Sequence, residues 1–292
     1  MRVPTRSLAL AVPRDVVPTD AVPRDVVPTD AGPTDAVLWR ILPRMKIVSE
    51  YVDIPVDGSP MRTWVAAPND ERQYPGVLCY SDIFQLTPST LRACARLAGY
   101  GFVVAVPEIY HRIEPAGEPF LFDDAGRDRG LADAARTPVA DFDADCRATL
   151  DFLSAHPRVS AGKLGVAGWC IGGHLAFRGA LQPDALATVC YYATGVHNGK
   201  LGRDEDAGSL ARAGEIRGEL LMIWGGADPH VPPEGRETIR RALDEAGTRY
   251  AFSTYEGAEH AFMRDEGPRY DPQATDGAFA ETIAHFGRVF GA

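Results

Sequence analysis

The stretch Lys163-Leu164-Gly165-Val166-Ala167-Gly168-Trp169-Cys170-Ile171-Gly172-Gly173 decides the fold of this 292-residue chain. Residues 163–168 are small or apolar after the first lysine and predict a buried strand. Leu175 to Leu181 continue a helix on the far side. Between them lies Gly-x-Cys-x-Gly, the spacing of a sharp strand-to-helix turn that pushes its central side chain into the open. Glycines two before and two after Cys170 relieve the clashes such a turn creates. A helix N-terminus immediately behind the sulfur favours its thiolate form. A free cysteine beside a glycine-rich turn is also a common core feature, so the rest of the chain has to decide.

Working outward, short apolar strands alternate with helical periodicity. Residues 46–54 and 61–67 predict two strands joined at Asp57-Gly58, a hairpin turn. Residues 76–80 form the next strand. Thr87-Pro88 caps a helix that runs to about Ala98, and 102–106 are again a strand. Phe142, Cys146, Thr149, Leu150 and Leu153 recur at helical spacing. Strands follow at 187–193, 220–224 and 250–255, with helices near 234–246 and 276–290. Unbroken apolar strands separated by helices predict a mostly parallel sheet covered on both faces, with its site beyond the strand C-termini.

Two residues complete the cysteine's chemistry. Asp228 follows the strand LLMIW, and His260 follows the strand that ends at Tyr255. Nucleophile, acid, then histidine is the chain order of α/β-hydrolases, and α/β-hydrolase is the fold class expected. His260 would serve as general base and then general acid, with Asp228 fixing its tautomer. His111, His156, His174, His197, His230 and His285 lack comparable context and read as structural or surface residues.

Composition excludes other classes. Thirty basic against forty acidic residues give a net charge of −10, which disfavours nucleic acid as a partner. No apolar run approaches the roughly 20 residues of a membrane span. The five cysteines are odd in number and contain no Cys-x-x-Cys pair, so neither a disulfide framework nor a structural zinc site is expected. A soluble, cytoplasmic protein is the simplest expectation. No dinucleotide fingerprint, phosphate loop or metal-binding helix follows any strand, so no cofactor and no metal are expected. Residues 1–44 read differently. AVPRDVVPTD at 11–20 repeats letter for letter at 21–30, and seven of the chain's 23 prolines fall in this leader. It is expected to be disordered and dispensable, leaving 45–292 as the hydrolase domain.

From about Met45 to the C-terminus the chain resembles the dienelactone hydrolases (carboxymethylenebutenolidases). The resemblance rests on GWCIGG, GGADPHVP, and EHAFMR followed by YDPQA. It implies a cofactor-free hydrolase of an enol-lactone or small ester, with Cys170, Asp228 and His260 as triad. Ser81-Asp82-Ile83-Phe84 resembles the family's oxyanion loop. By that resemblance the amides of Ile83 and Ile171 form the oxyanion hole. Asp82 stands where the family often has a glutamate that holds the resting thiol. Arg112 and Arg264 match positions that bind a substrate carboxylate. The substrate implied is dienelactone, opened to maleylacetate through a thioacyl-enzyme. A broad carboxylesterase or thioesterase is the alternative enzyme. A non-catalytic ligand-binding protein on the same fold is the alternative of another class, which the intact residue order disfavours.

Overall fold

The computed structural model describes residues 45–291; the leader expectation lies outside the described residues. Eight strands form one sheet. They are β1 (Ile47–Val56), β2 (Ser59–Pro68), β3 (Tyr74–Tyr80), β4 (Val103–Pro107), β5 (Val159–Trp169), β6 (Ala185–Tyr191), β7 (Glu219–Gly225) and β8 (Arg249–Tyr255). Their order across the sheet is β1-β2-β4-β3-β5-β6-β7-β8. β1 and β2 form a hairpin turned at Asp57-Gly58, and β2 runs antiparallel to β4. Every other pairing is parallel. β3 and β4 are buried throughout, and β5 is buried over its second half, as strands covered on both faces must be.

Helices α1 (Pro88–Gly99) and α6 (Pro272–Phe290) cover one face, where Cys94 and Leu97 pack with Phe279, Phe286 and Phe290. Helices α3 (Val139–Ala155), α4 (Ile171–Gly179) and α5 (Pro233–Ala246) cover the other, through Phe142, Leu150, Leu175, Phe177 and Ile239. Thr87 caps α1 by accepting from the Thr90 amide, with Pro88 in the first turn, as the sequence implies.

One helix escapes the sequence reading. α2 (Asp124–Arg136) has only Gly126, Gly130 and Asp133 buried, so it carries no apolar stripe for periodicity to detect. It is held by close backbone approach instead. A Cβ on Gly130 would overlap the Ile83 carbonyl, and Tyr110 donates its hydroxyl hydrogen to the Gly130 carbonyl at 3.2 Å. α2 therefore lies directly over the loop that follows β3. No helix among the described residues is long and apolar enough to cross a membrane.

Candidate active site

Cys170 sits between β5 and α4 with φ 61° and ψ −120°, a conformation costly for a side chain-bearing residue. The glycines explain how it is tolerated. A Cβ at Gly168 would overlap the Gly172 carbonyl, and one at Gly172 would overlap the Ser81 carbonyl. The elbow is thus wedged against the loop after β3. The Cys170 residue is 9% exposed, and its sulfur lies 3.9 Å from the Thr194 hydroxyl. Ile171 is the first residue of α4, and its amide is among those a helix leaves without an internal acceptor.

The acid and histidine loops are laced to each other. Gly226 N–H donates to the Tyr255 carbonyl and Ala227 N–H to the Ala258 carbonyl, at 2.8 and 2.9 Å. A Cβ at Gly225 would clash with the same Ala258 carbonyl, which lets the two loops approach this closely. The result is a hydrogen bond of 2.8 Å between His260 Nδ1 and Asp228 Oδ2, with the Asp228 side chain fully buried. Asp228 Oδ1 accepts the His230 amide at 2.8 Å, which fixes the carboxylate plane. Burial alone would raise Asp228, but the hydrogen bond and charge of His260 hold it below its usual value. Burial likewise opposes charge on His260. Its interaction with Cys170 and the hydrogen bond to Asp228 outweigh it and lift the ring to about 9.

Cys170, His260, Ile83 and Ile171 line one cavity of about 940 Å³, together with Thr194 and Arg264. His230, expected to be structural or at the surface, is exposed and lines the cavity too. Its ring meets that of His260 edge-on, with centroids 4.5 Å apart. Burial and the charge of His260 lower its tendency to protonate. The signal lay in its position two residues past Asp228, where the amide bond to Oδ1 turns the chain back.

The structure treats the two arginines differently. Arg264 packs beside the edge-on pair Phe84 and Phe122, its guanidinium carbon 4.7 and 4.6 Å from their centroids. Asp82 accepts from it through Nε at 3.2 Å and Nη2 at 2.5 Å. The other Asp82 oxygen accepts the Phe84 amide at 2.9 Å. Asp82 is thus engaged by Arg264, and among the described residues no hydrogen bond joins it to Cys170. Arg112 is not among the residues lining the cavity. It is drawn to Asp145 of α3, a buried carboxylate 2.8 Å away, with Asp57 and Asp141 at 3.6 and 3.9 Å. Arg112, expected at the substrate, is thus placed outside the cavity and held by Asp145, which also meets His111 Nε2 at 3.1 Å. Among the described residues no cluster of His, Cys, Asp or Glu could hold a metal ion.

Sheet, elbow and acid-bonded histidine together define an α/β-hydrolase. The sequence profile of the Dienelactone hydrolase family matches residues 61–290. A Saccharomyces cerevisiae protein provisionally named carboxymethylenebutenolidase is 33% identical over 254 residues, 84% of this chain and 93% of the relative. The carboxymethylenebutenolidase of Pseudomonas sp. (strain P51) is 31% identical over 215 residues, 74% of this chain and 85% of the relative. A Klebsiella pneumoniae crystal structure, provisionally named a dienelactone hydrolase, superposes with a TM-score of 0.74 at 24% identity. It covers 83% of this chain and 99% of its own, a likeness of fold alone. The chain belongs to the dienelactone hydrolase family and is a hydrolase of ester or lactone bonds.

Proposed function

We propose that the chain opens an enol-lactone or cleaves a small ester, preferentially one bearing a carboxylate, through a thioacyl-enzyme on Cys170. The observation that carries this reading is Cys170 on a strained elbow, sharing a cavity with a histidine that is bonded to a buried aspartate. The thiolate attacks the carbonyl carbon, and the amides of Ile83 and Ile171 receive the charge that develops on oxygen. Such donors contribute about 3–4 kcal/mol each to a transition state. His260, protonated, gives its proton to the departing oxygen, then accepts one from the water that releases the acyl group. Asp228 keeps Nδ1 protonated, so that Nε2 does the exchange. An enol or phenol leaves readily, whereas an amide nitrogen must first be protonated, so esters, lactones and thioesters are favoured.

Arg264 is the cation offered to a substrate carboxylate. Its packing against Phe84 and Phe122 and its bond to Asp82 hold the planar fork ready for paired contacts. In this reading Asp82 acts as a positioning residue, exchanging part of its hold on Arg264 when a carboxylate arrives. The size of the cavity favours a second reading, a broader carboxylesterase on substrates bulkier than a single-ring lactone.

The test is a panel of dienelactone, p-nitrophenyl acetate and an acyl thioester, compared by specificity constant for the wild type and Cys170→Ala. The lactone should lead and the variant should be inactive on all three. Turnover of any substrate by the alanine variant at the wild-type rate would end the thiol mechanism. A higher constant for the neutral ester would favour the broad esterase.

A further inference from the structure

The α2 side of the cavity that holds Cys170, its α2 chamber, combines apolar and charged residues. Phe122, Leu131, Ala134 and Ala135 line it from α2 and the segment before it, and Leu201 lines it from the loop beyond β6. The charged residues of the wall, among them Arg127, Lys200 and Glu205, are exposed. Arg127 is tied to Asp124 and Asp128. Leu131 is the odd member. It is 51% exposed, the one large apolar side chain of α2, and it borders the same cavity as the nucleophile. With Phe122, Ala134, Ala135 and Leu201 it gives this side of the cavity an apolar surface on which an apolar group can pack. At about 940 Å³ the cavity stands near the upper end of sites that enclose drug-sized ligands. A small single-ring lactone fills only part of that space.

We infer that the α2 chamber receives an extended apolar substituent of the substrate, an alkyl or aryl group of medium length attached to the scissile ester. The inference rests on the hydrolase reading of Cys170 and specifies its substrate class. The reacting carbonyl sits at Cys170 while the chain lies along Phe122, Leu131 and Leu201. α2 is suited to the task because its glycine backbone fastens it over the loop after β3 while Arg127, Leu131, Ala134 and Ala135 line the cavity. The substrate class is therefore an ester or lactone that carries an apolar substituent.

Each methylene that leaves water on binding multiplies the specificity constant by a factor of about four. The experiment compares p-nitrophenyl butyrate with p-nitrophenyl octanoate, and butyl acetate with octyl acetate, so that the acyl and alcohol sides are both lengthened. In the wild type one of the two pairs should favour the longer ester by at least about tenfold. In Leu131→Asp, and independently in Ala135→Glu, that ratio should fall at least about fivefold. Using the ratio within each protein cancels any general loss of activity, and thermal midpoints check folding. Equal constants within both pairs of the wild type would overturn the inference while leaving the hydrolase reading intact. So would a ratio that survives both substitutions. If no ester is turned over at all, the hydrolase reading fails, and the chamber is then judged by binding. Cys170→Ala titrated by calorimetry should bind octanoate at least about tenfold more tightly than butyrate, and equal affinities would overturn the chamber.

Discussion

Replacing Asp228 by asparagine removes a full charge from a buried hydrogen bond of 2.8 Å and should expose how His260 is tuned. The rise of the His260 ring from 6.5 to about 9 corresponds to roughly 3 kcal/mol in favour of its protonated form. That preference survives a burial penalty and is divided between Cys170 and Asp228. The sign follows directly. Below about pH 9 the ring carries the proton that the leaving oxygen needs, and above it that proton is lost. For an alkyl ester, whose alkoxide must be protonated, the specificity constant of the wild type should therefore decline through about pH 9. In Asp228→Asn the limb should move toward lower pH, because one of the two charges that stabilise the imidazolium is gone. The rate should also fall by about 10²- to 10⁴-fold, since an asparagine can hold the ring in the wrong tautomer. The assay is butyl acetate hydrolysis followed by proton release across the alkaline range, with thermal midpoints as control. An alkaline limb that stays in place, with a rate within about threefold of wild type, would refute the reasoning.

Arg264→Ala should cost roughly 10- to 150-fold in specificity constant on a carboxylate-bearing lactone and spare p-nitrophenyl acetate, the loss of one charge-assisted bond; equal losses on both would make it a loop support. Arg112→Ala should instead lower stability by roughly 1.5–3 kcal/mol in denaturant unfolding, because Asp145 loses a charge-assisted bond and keeps His111 as partner, and should leave substrate preference unaltered. A changed preference without destabilisation would return Arg112 to the site. A chain starting at Met45 should keep the activity and thermal midpoint of the full protein, a drop in either showing that the proline-rich leader contributes.

The elbow was legible because each glycine around Cys170 answers a close backbone approach that a side chain would block, so composition and geometry carry the same message. The β1–β2 hairpin was legible for a similar reason, since Asp57 and Gly58 both take positive φ there. β5 begins at Val159, four residues before the expected 163. After the buried Val159 the lead-in is partly exposed, with Gly162 at positive φ, so no run of buried residues marks it. α2 was invisible because what holds it is glycine contact and polar bonding, neither of which has a helical period. The triad members were placed by chain order and by strand ends, which fix where a backbone goes. Side-chain direction is a different matter. Arg112 lies just past the end of β4, and nothing in its own neighbourhood in sequence indicates that it turns away from the cavity. Asp145 could have indicated it. It sits within the apolar stripe formed by Phe142, Cys146 and Thr149, and a carboxylate there demands a cation. Asp82 was placed in the right loop, but its partner Arg264 lies 182 residues away, beyond the reach of local pattern.

The central claim is a covalent acyl group on Cys170. Wild-type protein mixed with excess p-nitrophenyl butyrate, quenched in acid within the first turnovers and digested, should yield the Cys170 peptide carrying a butyryl thioester. The same treatment of Cys170→Ala should yield no adduct and no turnover. Steady hydrolysis with Cys170 unmodified at every time point, or an adduct on another residue that forms and decays at the turnover rate, would contradict the account.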